Sequence, residues 1–202
     1  MLSSFTFKQK TAVNIHMRLK YQTTRSEVVY KSSWMTVYED SVIEDHRNIN
    51  NTGTPAKVEK FNRIEVSDAV VIVPVFENGK LLMVENYRHG AGTDLLELPG
   101  GFINEGENVR DAARRELLEE TGYTCKEIRV VSWFYTWPGR TGQKDFVVVA
   151  KDLRKQSRKN PDELEYVKVC KLSQERLRRE LEHGRIKSAV SISALFKGYT
   201  QP

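Results

Sequence analysis

Four glutamates, Glu107, Glu116, Glu119 and Glu120, crowd the stretch Gly101 to Tyr123, GFINEGENVRDAARRELLEETGY. The run is rich in helix formers. It predicts a helix that begins near Asn104 to Glu107, with Asn104 as cap and Glu107 three residues on in a capping-box-like pattern. Gly122 is placed to end it in a left-handed conformation. On such a helix Val109, Ala112, Ala113 and Leu117 define the apolar face. Glu116 and Glu120, one turn apart, project from that same face, with Glu119 at its edge. Acids turned toward solvent need no explanation. Acids turned toward the protein are paired with cations or bound to metal, because an unpaired buried carboxylate is costly. A hard divalent cation such as Mg²⁺ takes oxygen ligands, with the rest of its shell from water and phosphate. The ordinary alternative is a solvated helix whose arginines and glutamates make i,i+4 pairs, worth about 0.3–0.5 kcal/mol each.

The full spacing is Gly101, five residues, Glu107, seven residues, then Arg115-Glu116-Leu117-Leu118-Glu119-Glu120-Thr121-Gly122-Tyr123. This resembles the Nudix box of the Nudix hydrolases at every fixed charged and glycine position. Tyr123 stands where an aliphatic residue is usual. The resemblance implies a fold of the α/β (α+β) class, a Nudix-type α/β/α sandwich with a mixed sheet. It implies Mg²⁺ as cofactor, with Mn²⁺ as the alternative. Glu116 and Glu120 would be the principal metal ligands, Glu119 a further one, and Gly100 the backbone ligand. Arg115 would orient the box by pairing with a glutamate, and Glu107 would hold the loop-helix geometry. Metal-assisted hydrolysis of a phosphoanhydride needs such close carboxylates, and cations for the remaining phosphate charge.

The flanks narrow the substrate. Glu85-Asn86-Tyr87-Arg88, then Leu96-Glu97-Leu98-Pro99-Gly100-Gly101, resemble the approach to the box in ADP-ribose pyrophosphatases. So do Pro138, 16 residues beyond Gly122, and the tail Glu163 to Tyr199. This implies cleavage of ADP-ribose or a related nucleoside diphosphate sugar to a nucleoside monophosphate and a sugar phosphate. Arg88 suits the diphosphate, or else a surface ion pair. Glu97 contacts substrate or a metal-bound water, or else makes a salt bridge at a strand end. Pro138 marks the subgroup or simply ends a strand. The segment Gly139 to Lys144 lacks the acidic residue often found there. Its Arg140 and Lys144 meet phosphate or remain solvated. Glu163 and Glu165 are the candidates for activating water, Glu163 ranked first, with Asp162 behind them.

The whole chain sets bounds. Its 202 residues suffice for one sizeable domain with an elaboration. A net charge of +5 suits a phosphate-rich small substrate. The charge is dispersed without aromatic interleaving, which argues against nucleic acid. Cys125 and Cys170 form no metal or redox pattern and read as free thiols, consistent with a cytoplasmic setting. No apolar run approaches the ~18–20 residues of a membrane span. His89 and His183 lack ligand-spaced partners.

Three segments follow. Residues 1–26 form a basic extension, compatible with organelle targeting but read as a tail. Residues 27–64 are a small antiparallel sheet, in the family commonly shared across a homodimer. Tyr30, Trp34 and Phe61 there stack on a base or fill a core. Residues 65–202 are the main domain. In it, Val66 to Phe76 and Lys80 to Asn86 read as strands about an Asn78-Gly79 turn. Further strands fall at Leu95–Pro99, Glu127–Trp137, Asp145–Ala150 and Tyr166–Leu172, with polar loops at His46–Pro55 and Arg154–Asp162. Ser173 caps one late helix, and Ser188 to Tyr199 forms the last. Two other readings remain: a non-catalytic nucleotide-binding module on the same fold, and an RNA binder suggested only by the basic pI.

Overall fold

The computed structural model describes residues 21–44, 58–156 and 167–199. The chain divides into two compact units, one of Met1–Glu27 with Glu39–Asn62, the other of Val28–Tyr38 with Arg63–Pro202. In the first, the Thr24 hydroxyl donates to the Ser41 carbonyl at 3.1 Å. The strands β1 (Tyr21–Lys31), β2 (Thr36–Glu44) and β3 (Val58–Glu65) form a sheet in the order β1-β2-β3. β1 begins at Tyr21, so the strand reaches back into the stretch read as a basic tail; Thr23 and Thr24 are β-branched and suit it. The loop expected over His46–Pro55 lies outside the described residues.

The second unit is built on two sheets. One has the order β7-β4-β9-β8, from β4 (Ala69–Pro74), β7 (Gly100–Phe102), β8 (Tyr123–Tyr135) and β9 (Lys144–Lys155). It is mixed: β4 runs parallel to β9 and antiparallel to β7. The other has the order β10-β5-β6, from β5 (Leu81–Arg88), β6 (Thr93–Glu97) and β10 (Val167–Leu172). The central strand β4, AVVIVP, is buried on both faces. Its side chains alternate between two cores, as the pleat requires. Val70 and Ile72 join Val148, Ala150, Ala112, Ala113 and Leu117, the last three from the helix α1 (Val109–Thr121). Val71 and Val73 join Val147, Val149, Ala194 and Leu195, the last two from α3 (Ala189–Gly198). Helix, sheet and helix therefore form three layers. A further helix, α2 (Gln174–Glu182), starts at its cap Ser173.

Two local expectations change. The Asn78-Gly79 turn forms, and the Phe76 N–H bonds the Lys80 carbonyl at 2.9 Å. Its two arms pair as strands only at the Val75–Leu81 bridge and then join different sheets. Both edges of β4 are taken, by β7 and β9, which leaves none for β5. The helix cap is also displaced. Asn108, not Asn104, caps α1, its side chain accepting from the N–H groups of Arg110 and Asp111 at 3.0 Å. Asn104 and Glu107 do bond reciprocally, the Asn104 N–H to the Glu107 carboxylate at 3.0 Å, but in the loop before the helix. The other end is as expected: Gly122 has φ 70° and its N–H closes on the Leu118 carbonyl. β8 and β9 are longer than expected, because they pair with each other from Tyr123–Lys155 to Tyr135–Lys144.

Asn108→Ala should cost about 1 kcal/mol and lower Tm by ~2–4 °C in thermal unfolding. Asn104→Ala, which keeps its backbone N–H, should shift Tm less. The reverse order would contradict the cap assignment.

Candidate active site

The site is assembled where β7 meets the end of α1. Two glycines of the loop face two successive turns of the helix. The Gly100 N–H donates to Glu120 Oε2 at 3.0 Å. A side chain at Gly101 would collide with the Glu116 carboxylate, its Cβ falling 2.5 Å from Oε1. One at Gly100 would strike the Val70 carbonyl of β4. The bare backbone at both positions is what lets loop, strand and helix close on one another.

Arg115 organises the acids. Its Nε and Nη2 donate to the two oxygens of Glu107 at 2.9 and 2.8 Å. Its Nη1 donates to Glu116 Oε1 at 2.6 Å and Glu119 Oε2 at 3.1 Å, and Nη2 also reaches the Phe102 carbonyl at 2.9 Å. The planar guanidinium suits such forked recognition. Its hydrogen bond holds the Glu107 carboxyl below the usual carboxylate range. Hydrogen bonds from the same glutamates push the guanidinium higher still, so it stays charged. The acids grade in exposure: Glu120 is 8% exposed, and the side chains of Glu116 and Glu119 are 13% and 43% exposed.

The expected metal set, Gly100, Glu116, Glu119 and Glu120, thus lies in one place. Among the described residues, though, no three His, Cys, Asp or Glu side chains converge at metal-holding distances. Glu116 and Glu119 converge on Arg115 instead. The donor chemistry fits a hard divalent cation: every ligating atom is oxygen, two of the carboxylates are largely withdrawn from water, and the Gly101 cradle is bare on their side.

A cavity of about 310 Å³ opens beside this cluster. Its wall includes Gly100 and Gly101 from the loop, Arg88 from β5, Glu97 from β6, and Ser188 and Ser191 at the start of α3. Arg88 Nε donates to Glu97 Oε2 at 2.7 Å, with Glu97 buried, so the salt-bridge alternative for Glu97 is found, on the cavity wall. Pro138 and Arg140 are not among the residues lining this cavity. They lie in the turn after β8, where the Arg140 carbonyl accepts from the Ile64 N–H. Glu163, Glu165 and Asp162 lie outside the described residues.

One wall residue has no role among the sequence expectations. Asp145 is the second residue of β9 and is 5% exposed. Among the described residues its Oδ2 is the one buried side-chain oxygen or nitrogen without a hydrogen-bond partner. Burial, and then the charge of Asp68, push its pKa up to about 6. The available signal was an acid two and four residues ahead of Val147 and Val149, on the face of a strand that those valines bury.

The comparisons with known proteins identify the family. Residues 66–190 match the NUDIX domain, and the chain belongs to that family. The ADP-ribose pyrophosphatase of Bacillus subtilis is 30% identical over 158 residues, 78% of this chain and 80% of the relative. The methanol dehydrogenase activator of Bacillus methanolicus is 32% identical over 128 residues, 63% of this chain and 69% of the relative. The solved structure described as an ADP compounds hydrolase superposes with a TM-score of 0.75 at 26% identity, covering 88% of this chain and 91% of its own. The expected α/β Nudix architecture is therefore the one found. Nudix hydrolases generally use divalent metal ions. Among the described residues no helix is long and apolar enough to cross a membrane.

Because Asp145 titrates higher in the folded chain than in the unfolded one, its ionisation opposes folding. The cost is absent below about pH 4 and complete above about pH 6, where it reaches about 3 kcal/mol. Asp145→Asn should therefore raise stability at pH 7.5 and change it little at pH 4, measured by urea unfolding at both. Equal effects at the two pH values would show that the carboxyl is not held in the way described.

Proposed function

We propose that this chain is a divalent-metal-dependent hydrolase that cleaves the pyrophosphate of ADP-ribose, or of a related nucleoside diphosphate sugar, to a nucleoside monophosphate and a sugar phosphate. The observation that carries the reading is the graded acid cluster, Glu116, Glu119 and Glu120, set by Arg115 and by the Gly100–Gly101 backbone, which also lines a cavity that presents Arg88. The ADP-ribose pyrophosphatase relatives and the ADP compounds hydrolase structure support the substrate class.

Glu116 and Glu120, with Glu119 and the Gly100 carbonyl, hold the metal, which is Mg²⁺ with Mn²⁺ able to substitute. When bound, it neutralises phosphate charge and lowers the pKa of a coordinated water. Arg88 takes up charge on the diphosphate, and Glu97 fixes its direction by the 2.7 Å bond. Pro138 and Arg140 shape the loop that follows β8 on the substrate side. Glu163, or Glu165 behind it, accepts the proton from the attacking water. One phosphorus is attacked and the other phosphate departs.

The protein works in the cytoplasm as a homodimer. Exposed apolar side chains, Val28 and Tyr30 on one face of β1 and Trp34 after that strand at 74% exposure, suit a surface shared with a second copy. A second reading, a nucleotide-sensing partner of another enzyme, is favoured by the relative that is described as an activator.

A panel of ADP-ribose, GDP-mannose, UDP-glucose, NADH and diadenosine polyphosphates with Mg²⁺ separates these readings. ADP-ribose should dominate, EDTA should abolish release of AMP, and Glu120→Gln should cut kcat by at least ~100-fold with the fold intact. Tight nucleotide binding with no product at any metal concentration would favour the sensing reading instead.

A further inference from the structure

The cavity beside the acid cluster holds a feature that metal chemistry does not use. Asp145 shares its face of β9 with Val147 and Val149, and these pack with Ala194 and Leu195 of α3. The glutamate-bearing helix α1 packs on the other face, against Val148 and Ala150. Asp145 therefore belongs to the α3 side of the sheet, away from the box helix. The titratable and charged groups near it are Asp68, whose Oδ1 accepts the Lys144 N–H at 2.8 Å, and the Arg88–Glu97 pair on the same cavity wall.

A buried carboxylate oxygen without a partner is costly, and a fold kept only for stability would replace it with an apolar residue. Its surroundings say what could partner it. The wall around it mixes apolar residues with the polar Thr136, Gln143, Ser188 and Ser191. Two of these hydroxyls serve the backbone as acceptors: Ser191 Oγ accepts the Leu98 N–H at 2.9 Å, and Ser188 Oγ caps α3 by accepting the Ser191 N–H. The first turn of α3 carries no acidic residue. Its amide end, beside the Arg88–Glu97 pair, gives one part of the cavity a place for an anion. Asp145 gives another part a strong acceptor, which an anion would avoid and a hydroxyl donor would seek. An anion-favouring end and a donor-seeking carboxylate in one cavity match a phosphorylated polyol.

We propose that Asp145 is a specificity-determining residue that accepts a hydrogen bond from a hydroxyl of the sugar-phosphate half of the substrate, while Arg88 and the start of α3 face its phosphate. This deepens the proposed function and rests on it for the identity of the substrate. The contact itself can be read without turnover.

The experiment is calorimetric titration of the full chain, with Mg²⁺ present, using ribose 5-phosphate and inorganic phosphate as probes. Wild type, Asp145→Asn and Asp145→Leu are compared. The wild type should bind ribose 5-phosphate at least ~10-fold more tightly than phosphate, since a hydrogen bond to a charged group contributes on that scale. Asp145→Leu should erase the difference without weakening phosphate binding, and raise Tm. Asp145→Asn keeps the shape and one acceptor oxygen, and should lose part of the preference. If Asp145→Leu does not fold, Asp145→Asn alone decides by the same ratio. Equal weakening of both probes, no change in either, or no wild-type preference would overturn the assignment. A lost preference in Asp145→Leu, together with no ADP-ribose turnover in the wild type, would keep the assignment and discard the reading of the substrate.

Discussion

The guanidinium of Arg115 is the point on which the site depends. Five hydrogen bonds leave it for Glu107, Glu116, Glu119 and the Phe102 carbonyl. They tie the loop before α1, the helix itself and the strand β7 into one piece. Without that cation, three acids within two turns of helix would repel one another, and like charges at i,i+4 destabilise a helix. With it, the acids are held close at little cost, and the site has its negative charge in place before any cation arrives. Preorganisation of this kind is what an electrostatic catalyst requires.

The sheet supplies the second constraint. β4 is buried on both faces, so its neighbours β7 and β9 must carry the functional backbone and side chains at its edges and ends. β7 delivers Gly100 and Gly101 to the box helix. β9 delivers Asp145 to the opposite face. One strand pairing therefore sets both halves of the cavity, and the apolar cores above and below hold the two helices that frame it.

Much of this was legible in the residues. The offsets among Glu107, Arg115, Glu116, Glu119 and Glu120 needed only a helix to become a cluster. Gly122 needed only its freedom at positive φ to end that helix. Asn104 misled because its pattern with Glu107 is that of a capping box, and the reciprocal bond does form; a second asparagine four residues on took the cap. The divergence of the Asn78-Gly79 arms was not legible, since a turn signal states a local reversal and says nothing of which sheet each arm joins. Asp145 escaped for a related reason. An acid at the head of DFVVVA reads as a strand start, and only the partners that bury Val147 and Val149 reveal that it faces inward. Glu163 and Glu165 stay as the sequence left them.

The central claim is that close approach of the Gly101 backbone to Glu116 sets the acid cluster for catalysis. The most direct test is Gly101→Ala, read by metal-dependent turnover and thermal unfolding together. The added methyl must push the Glu116 carboxylate aside, so kcat should fall by at least ~100-fold while the cooperative unfolding transition is kept. Wild-type turnover in Gly101→Ala would contradict the account, because the cluster would then work without the approach that is said to build it.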